Sequence, residues 1–414
     1  MTEPGREIPA AHIAPLPWMV APATRAVLAA LGQGNARFVG GAVRDALLGR
    51  EVRDIDIATP LVPDDVMRRL GDAGIKTVPT GLAHGTVTAV VPPSQFEITS
   101  LRRDIESFGR HARVTFTTEW CEDAARRDFT LNALYLDPAG AVFDPVGGLG
   151  DLRAGRIRFV GAAAERIRED VLRLLRFYRF HAHYGRGEAD AAARDAARAL
   201  KHLLPTLSGE RVAAEVLKLL DAPDPAATLA LMRADGVLAV VLPEARTLDR
   251  LAGLVPLEPV PDALRRLGAL VSWDVAAAEA VAVRLKLSAA ARARLAALAA
   301  PSVAVDLAAP DAAQRRALFH LGAALYRDLV LLRAAEAGAA ARARAAALVA
   351  LADSWRVPHF PLKGRDVTAR GVAAGPEVGR LLAALEAWWE AGDFHADREQ
   401  CLAELARRME PRHG

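Results

Sequence analysis

Strand patterns stop at one place in this chain. Up to Arg158-Phe159-Val160-Gly161, short alternating or apolar runs recur; beyond it the sequence is rich in Ala and Leu and reads as helix almost without interruption. Such a chain folds as an α+β structure in two unlike parts, a mixed sheet with helices followed by an all-helical remainder. With 414 residues, 52% of them hydrophobic, both parts can bury a core.

The early part alternates helix and strand with an antiparallel flavour. Residues 22–33 read as a helix ending at Gly32, and Arg37-Phe38-Val39 as a strand running into Gly40-Gly41. A helix from Ala42 to Leu48 stops at Gly49. Asp54-Ile55-Asp56-Ile57-Ala58-Thr59 alternates polar and apolar as a half-buried strand does, which places both carboxylates on one face. Pro63 to Gly71 reads as a capped helix. Runs 86–91 and 96–101, parted by Pro92-Pro93-Ser94, predict a hairpin. Residues 102–120 are charged and weakly periodic and read as a mobile loop. Residues 122–134 read as one helix leading to a strand at 134–136, Asp144 to Leu152 as a turn-rich connection, and Glu169 to Phe180 as one strong helix. Further helices are expected around 189–203, 209–220 and 225–233, then repeatedly to 353, and a last compact unit from Pro361 through a helix at 376–391. Composition shifts put boundaries near 155, 215 and 330. There is no clear internal repeat.

The net charge of +3 and pI of about 9.0 permit a polyanionic partner without requiring one. Cys121 and Cys401, far apart, suggest a reducing compartment and no zinc cluster. Met1 to Val20 lacks the apolar stretch of a signal peptide, and no run of about 18 apolar residues occurs. A cytoplasmic protein is expected, with no membrane span and no protein partner evident.

Three constellations carry chemistry. Asp54 and Asp56 repel when alone and are relieved by a divalent cation, the arrangement by which Mg²⁺ serves phosphoryl transfer. Upstream, Gly40-Gly41 lets backbone amides approach phosphate oxygens, and Arg44 offers a bidentate phosphate contact. Asp45 either orients Arg44 or touches substrate. Glu97, on a later strand, is a third carboxylate for a two-ion site or an exposed strand residue. The third constellation is Glu169, Asp170, Arg173, Arg176 and Arg179. On one helix, an Asp and an Arg at i, i+3 can read the amine-beside-acceptor edge that cytosine and adenine share; the bland alternative is a solvated ion pair. Arg126-Arg127-Asp128 supplies sugar or phosphate contacts or is merely a basic helix end.

These residues, in this order, resemble a known family. Gly40 to Asp45 with Asp54-Ile55-Asp56, then Arg126 to Ala133, then Glu169-Asp170-x-x-Arg173 look like the motifs of class II tRNA nucleotidyltransferases, the CCA-adding enzymes, which are relatives of bacterial poly(A) polymerases. Asp144 to Leu152, Ser208 to Glu215 and the tail segments from Lys363 and Gly375 resemble later family elements. The resemblance implies a polymerase-β-like nucleotidyltransferase head over 22–155, a nucleotide-selecting neck over 156–215, and a body and tail over 216–330 and 331–414 that grip tRNA by shape and phosphates. It implies catalysis by Asp54, Asp56 and Glu97, with two Mg²⁺ on Asp54 and Asp56. Gly40, Gly41 and Arg44 would contact the triphosphate. Asp170 and Arg173 would select CTP or ATP, with Arg127, Asp128, Arg176 and Arg179 as further nucleotide contacts. Val171 departs from the family, where Pro is frequent, and Phe177-Tyr178 replaces smaller residues. The competing readings are a poly(A) polymerase, an enzyme adding part of the triplet, and a non-catalytic RNA-binding module. No His-Asp dyad of a phosphohydrolase domain is found, so no such activity is expected.

Overall fold

The computed structural model describes residues 8–108, 111–271 and 273–410. The chain divides into two compact units, Met1–Pro243 and Glu244–Gly414.

The first unit opens with β1 (Ala11–His12), α1 (Pro22–Leu31), β2 (Arg37–Val39), α2 (Gly41–Leu47), β3 (Ile55–Thr59) and α3 (Pro63–Asp72). There follow β4 (Lys76–Gly81), β5 (Thr86–Val91), β6 (Ser94–Ser100), β7 (Arg102–Phe108), β8 (His111–Phe116), α4 (Trp120–Ala125), β9 (Tyr135–Leu136), β10 (Ala141–Phe143) and α5 (Gly148–Ala154). Eight of the strands form one sheet in the order β1-β10-β9-β2-β3-β6-β5-β4. β3 and β6 run parallel, and β2 pairs β3 antiparallel. The sheet centre is apolar because β2, β3 and β6 bring in Phe38, Ile57, Phe96 and Ile98, all fully buried. A second cluster on Val39, Ala58, Leu101, Ala124 and Tyr135 anchors α4. α3 starts where the sequence puts it: Pro63 opens its first turn, and Asp64 and Asp65 follow, where the helix dipole favours negative charge.

The rest of this unit is helical: α6 (Ala163–Glu169), α7 (Leu172–Tyr184), α8 (Ala191–Leu200), α9 (Gly209–Leu220), α10 (Pro225–Ala234) and α11 (Leu238–Val241). α7 is held by Leu174, Leu175, Phe177, Tyr178 and Phe180, which form a buried stripe.

Several expectations need correction. Residues 102–116 are not a loop but an antiparallel hairpin, β7 on β8, apart from 109 and 110, which lie outside the described residues. β4, on the sheet edge, escaped the sequence reading: Pro79 and Gly81 mask its pattern. The helix expected over 122–134 ends at Ala125. Asp128 Oδ1 there accepts the Phe129 N–H and the Asn132 amide, so a side chain takes over the backbone's hydrogen bonding, and Thr130–Asn132 is a single 3₁₀ turn. The helix expected from Glu169 to Phe180 is two. Asp170 is extended (φ −147°, ψ 106°), and its Oδ1 accepts the Leu172 N–H, which turns the chain into α7. Asp54 precedes β3 and does not begin it. Positions 215 and 330 both fall inside helices, α9 and the long helix of the second unit.

The second unit holds α12 (Asp249–Leu254), α13 (Ala263–Val271), α14 (Val275–Arg284), α15 (Ala289–Ala299), α16 (Asp311–Ala335), α17 (Ala339–Ser354), α18 (Gly364–Thr368), α19 (Pro376–Ala391) and α20 (Arg398–Met409). Gly322, at φ 74°, kinks α16. α18 to α20 pack on Leu362, Leu385, Trp389 and Leu405.

Candidate active site

Asp56 is the centre of charge. In the parallel pairing of β3 with β6 it stands opposite Glu97, so both side chains leave the same face of the sheet. Thr88 of β5 stands opposite Glu97 in turn. Burial pushes the Asp56 carboxyl up, Glu97 adds to this, Arg127 opposes it, and Asp54 raises it again, to about 6. A carboxyl crowded in this way has an unmet demand for positive charge.

Two cavities meet at the aspartates. One, of about 500 Å³, is lined by Gly41, Arg44, Arg53, Asp54, Asp56 and Tyr184, among others. The other, of about 830 Å³, is lined by Asp54, Asp56, Thr88, Glu97, Arg176 and Lys218, among others. Asp54 and Asp56 thus border both. Gly40 needs its glycine: at φ 67° a Cβ is strained, and it would stand 3.7 Å from Asp56 Oδ2 and 3.9 Å from an Arg127 nitrogen.

The cations around this centre are held by ion pairs. Arg44, 8% exposed, donates to both oxygens of Asp45 at 3.0 and 2.9 Å and to Asn132 Oδ1 at 2.8 Å. The expected role of Asp45 as an orienter of Arg44 is therefore the one the geometry provides. Arg127 donates to Asp123 at 3.1 and 2.8 Å, and Asp123 also accepts from Arg126 and from the Tyr135 hydroxyl. Burial pushes the Asp123 carboxyl up, but Arg127 and then Arg126 outweigh it and hold it at about 2.

From Arg44 a polar chain crosses into the helices. Asn132, which accepts from Arg44, donates to Asp128 Oδ1 at 3.0 Å; Asp128 Oδ2 accepts from Arg176 at 2.8 and 2.5 Å. Arg176 lies 4.0 Å from Glu215 of α9, and Arg179 donates to Glu215 at 2.6 Å. Burial raises the Asp128 carboxyl, and Arg176 with Asn132 brings it down to about 2. Buried charges persist only when paired this way.

The sequence places Asp170 and Arg173 on one helix as a pair. In the structure they stay within one turn, the Arg173 N–H donating to the Asp170 carbonyl at 2.9 Å, but their side chains take different partners. Asp170, between helices, accepts from Arg211 of α9 at 3.0 and 2.9 Å, while Arg173 in α7 donates to Glu169 at 2.5 Å. Neither lines the two cavities that contain Asp54 and Asp56. Arg176 does line the larger one, and Arg179 lines a smaller cavity of about 160 Å³ together with Arg44. Sequence reasoning gave no role to Asp123, Asn132, Tyr184, Arg211, Glu215 or Lys218. The available signal was in α9: Arg211, Glu215 and Lys218 recur at i, i+4 and i+7, one helical stripe, and Glu215 is buried.

The sheet, the shared aspartates and the helical layer carrying Arg176 define a nucleotidyltransferase of the poly(A) polymerase head class. Residues 36–158 match the family model of the poly A polymerase head domain, and residues 190–248 that of the probable RNA and SrmB-binding site of polymerase A. The CCA tRNA nucleotidyltransferase 1, mitochondrial, of Mus musculus is 32% identical over 389 residues, 90% of this chain and 86% of that protein. The CCA-adding enzyme of Geobacillus stearothermophilus is 42% identical over 208 residues, 49% of this chain and 50% of that one. Among solved structures, the Bacillus stearothermophilus CCA-adding enzyme in complex with CTP superposes with a TM-score of 0.75 at 31% identity, covering 92% of this chain and 95% of that one. The chain belongs to the CCA tRNA nucleotidyltransferase family.

Proposed function

We propose that the protein adds CCA to the 3′ end of tRNA from CTP and ATP without a nucleic-acid template. The carrying observation is the Asp54–Asp56 pair at the meeting of two cavities, one bounded by Arg44 and the other by Glu97 and Arg176. The reading assigns the triphosphate to the side of Gly40, Gly41 and Arg44, and the nucleobase to the layer of Asp170 and Arg173. In the reaction the terminal 3′ oxygen of the tRNA bonds to the α-phosphorus, the bond to the bridging oxygen breaks, and pyrophosphate leaves. Arg44, already fixed by Asp45 and Asn132, meets phosphate charge without reorganising. Arg127, Asp128, Arg176 and Arg179 keep the sugar side of the site ordered through their mutual ion pairs.

The donor set fits Mg²⁺. Asp54 and Asp56 would hold it, with Glu97 as the neighbouring carboxylate. The Asp56 carboxyl, raised first by burial and then by Glu97 and Asp54, supports this, because a cation offsets both the burial of its charge and the repulsion. Among the described residues no three His, Cys, Asp or Glu side chains are grouped to hold a metal ion, so Asp54 and Asp56 would leave the rest of the shell to phosphate oxygens and water. When bound, the ions supply activation of the attacking hydroxyl and neutralisation of the leaving pyrophosphate.

Among the described residues no helix is long and apolar enough to cross a membrane. The free cysteines, Cys121 exposed and Cys401 buried, support a reducing compartment, and the reading places the enzyme in the cytoplasm; the mouse relative's name assigns that protein to mitochondria.

The test is incubation with tRNA lacking its 3′ CCA, Mg²⁺ and each labelled nucleotide. Ordered C, C, A incorporation supports the reading. Addition that stops short of the triplet means a partial-adding enzyme, long A runs mean a poly(A) polymerase, and no incorporation means a non-catalytic RNA-binding module.

A further inference from the structure

We propose that Tyr184, the last residue of α7, is a positioning residue that sets the guanidinium of Arg44 against the triphosphate. This rests on the assignment of Arg44 to the triphosphate. Three observations carry it. The Arg44 guanidinium lies over the Tyr184 ring, 4.2 Å from its centroid. Burial raises the Tyr184 hydroxyl pKa, Arg44 opposes this, and Asp45, the carboxylate that grips Arg44 through both its oxygens, raises it further. Tyr184 also lines the 500 Å³ cavity together with Arg44, Asp54 and Asp56. Arg44 is thus fixed by Asp45 and Asn132 in its plane and by an aromatic ring over it.

The ring is itself supported. Phe180, one turn earlier on α7, stacks on it at 5.8 Å between centroids. Arg50 lies 4.6 Å from the same ring and donates to the His183 carbonyl at 2.9 Å, tying the end of α7 to the chain just after α2. α7 also carries Arg176, which lines the larger cavity. Its first turn carries Arg173, and its last residue holds the phosphate arginine about 16 Å further along the helix axis.

A residue in this role tunes nucleotide binding, not nucleotide choice. Tyr184→Leu is expected to raise KM for CTP and for ATP by about tenfold, with kcat changed less than KM and selectivity over UTP and GTP unchanged. Tyr184→Phe, which keeps the ring over Arg44 and loses only the hydroxyl, should keep KM close to that of the unaltered protein. The decisive arm is Arg44→Ala, alone and combined with Tyr184→Leu, with thermal melts to confirm that each variant is folded. If Tyr184 acts through Arg44, the double variant has the KM of Arg44→Ala alone. An unchanged KM in Tyr184→Leu overturns the proposal, as does an undiminished further rise on top of Arg44→Ala. If Tyr184→Leu melts before assay, Tyr184→Phe against Tyr184→Met gives the same comparison: equal KM values overturn it. If Arg44→Ala itself leaves KM unchanged, the assignment of Arg44 to the triphosphate has failed, a different result from failure of Tyr184.

Discussion

Asp56 and Glu97 are register partners across the parallel strands β3 and β6, two carboxylates brought side by side on one sheet face. Burial, with their repulsion added, lifts Asp56 to about 6. Replacing Glu97 by Gln removes that charge and lets Asp56 ionise at lower pH. The expected outcome is a fall in the acid-side pKa of the kcat/KM profile, with a loss of rate on the order of 10²-fold if Glu97 shares the metal. Asp54→Ala or Asp56→Ala should lower incorporation of CTP and ATP alike by about 10³-fold or more, read in single-turnover assays. A loss confined to one nucleotide would contradict their place at the chemical centre.

The same carboxyl makes metal binding depend on pH. Its folded pKa, about 6, lies above the ordinary value of 3.8. Without metal the folded state holds the proton more tightly than the unfolded state, so this group's contribution to stability declines as pH rises from about 4 to about 6. Mg²⁺ held by Asp54 and Asp56, as proposed, would displace that proton. The rise in Tm on adding Mg²⁺ should therefore be small at pH 5 and reach its full size above pH 7, and Asp56→Asn should abolish the difference.

Asp123 and Asp128 behave in the opposite sense. Both are held at about 2 by arginines that outweigh the cost of burial. A depressed carboxyl contributes stability that is fully present above about 4 and is lost as pH falls towards 2, roughly 2 to 3 kcal/mol each. Denaturant titrations between pH 5 and pH 2 should show the decline. Asp123→Asn should remove part of it and destabilise at pH 7, because Arg126 and Arg127 then lose their shared counter-charge.

Asp170 is held by Arg211 and Arg173 by Glu169, so the two groups proposed to select the nucleotide are positioned by different neighbours. Arg173→Ala should lower the preference for CTP and ATP over UTP and GTP by about tenfold before it abolishes transfer. Arg211→Ala should loosen selectivity in the same direction by freeing Asp170. Misincorporation on a tRNA lacking its 3′ end measures both. Unchanged preference in Arg173→Ala would remove it from base selection.

The division into a mixed sheet and a helical remainder could be read from the chain, because the periods of strand and helix are local. Gly40-Gly41, Arg44 and the Asp54–Asp56 spacing could be read too, because glycine conformation and i, i+2 alternation are properties of neighbouring residues. Where side chains compete with the backbone, local reading failed: Asp128 ends a helix and Asp170 starts one, each by accepting backbone N–H groups.

What the chain by itself determined is the inventory and order of the chemical parts: the glycine pair, the arginine, the two aspartates, and later a cluster of acidic and basic residues. Tertiary structure alone decided which of them meet. Glu97 reaches Asp56 because β6 lies parallel beside β3, and Arg176 finds Asp128 across 48 residues of sequence. Arg211 and Glu215 of α9 hold Asp170 and Arg179. The physical reason is that an ion pair is specified by distance in space. Side-chain periodicity fixes the face of an element but not the element packed against it, and burial then makes each chosen partner obligatory.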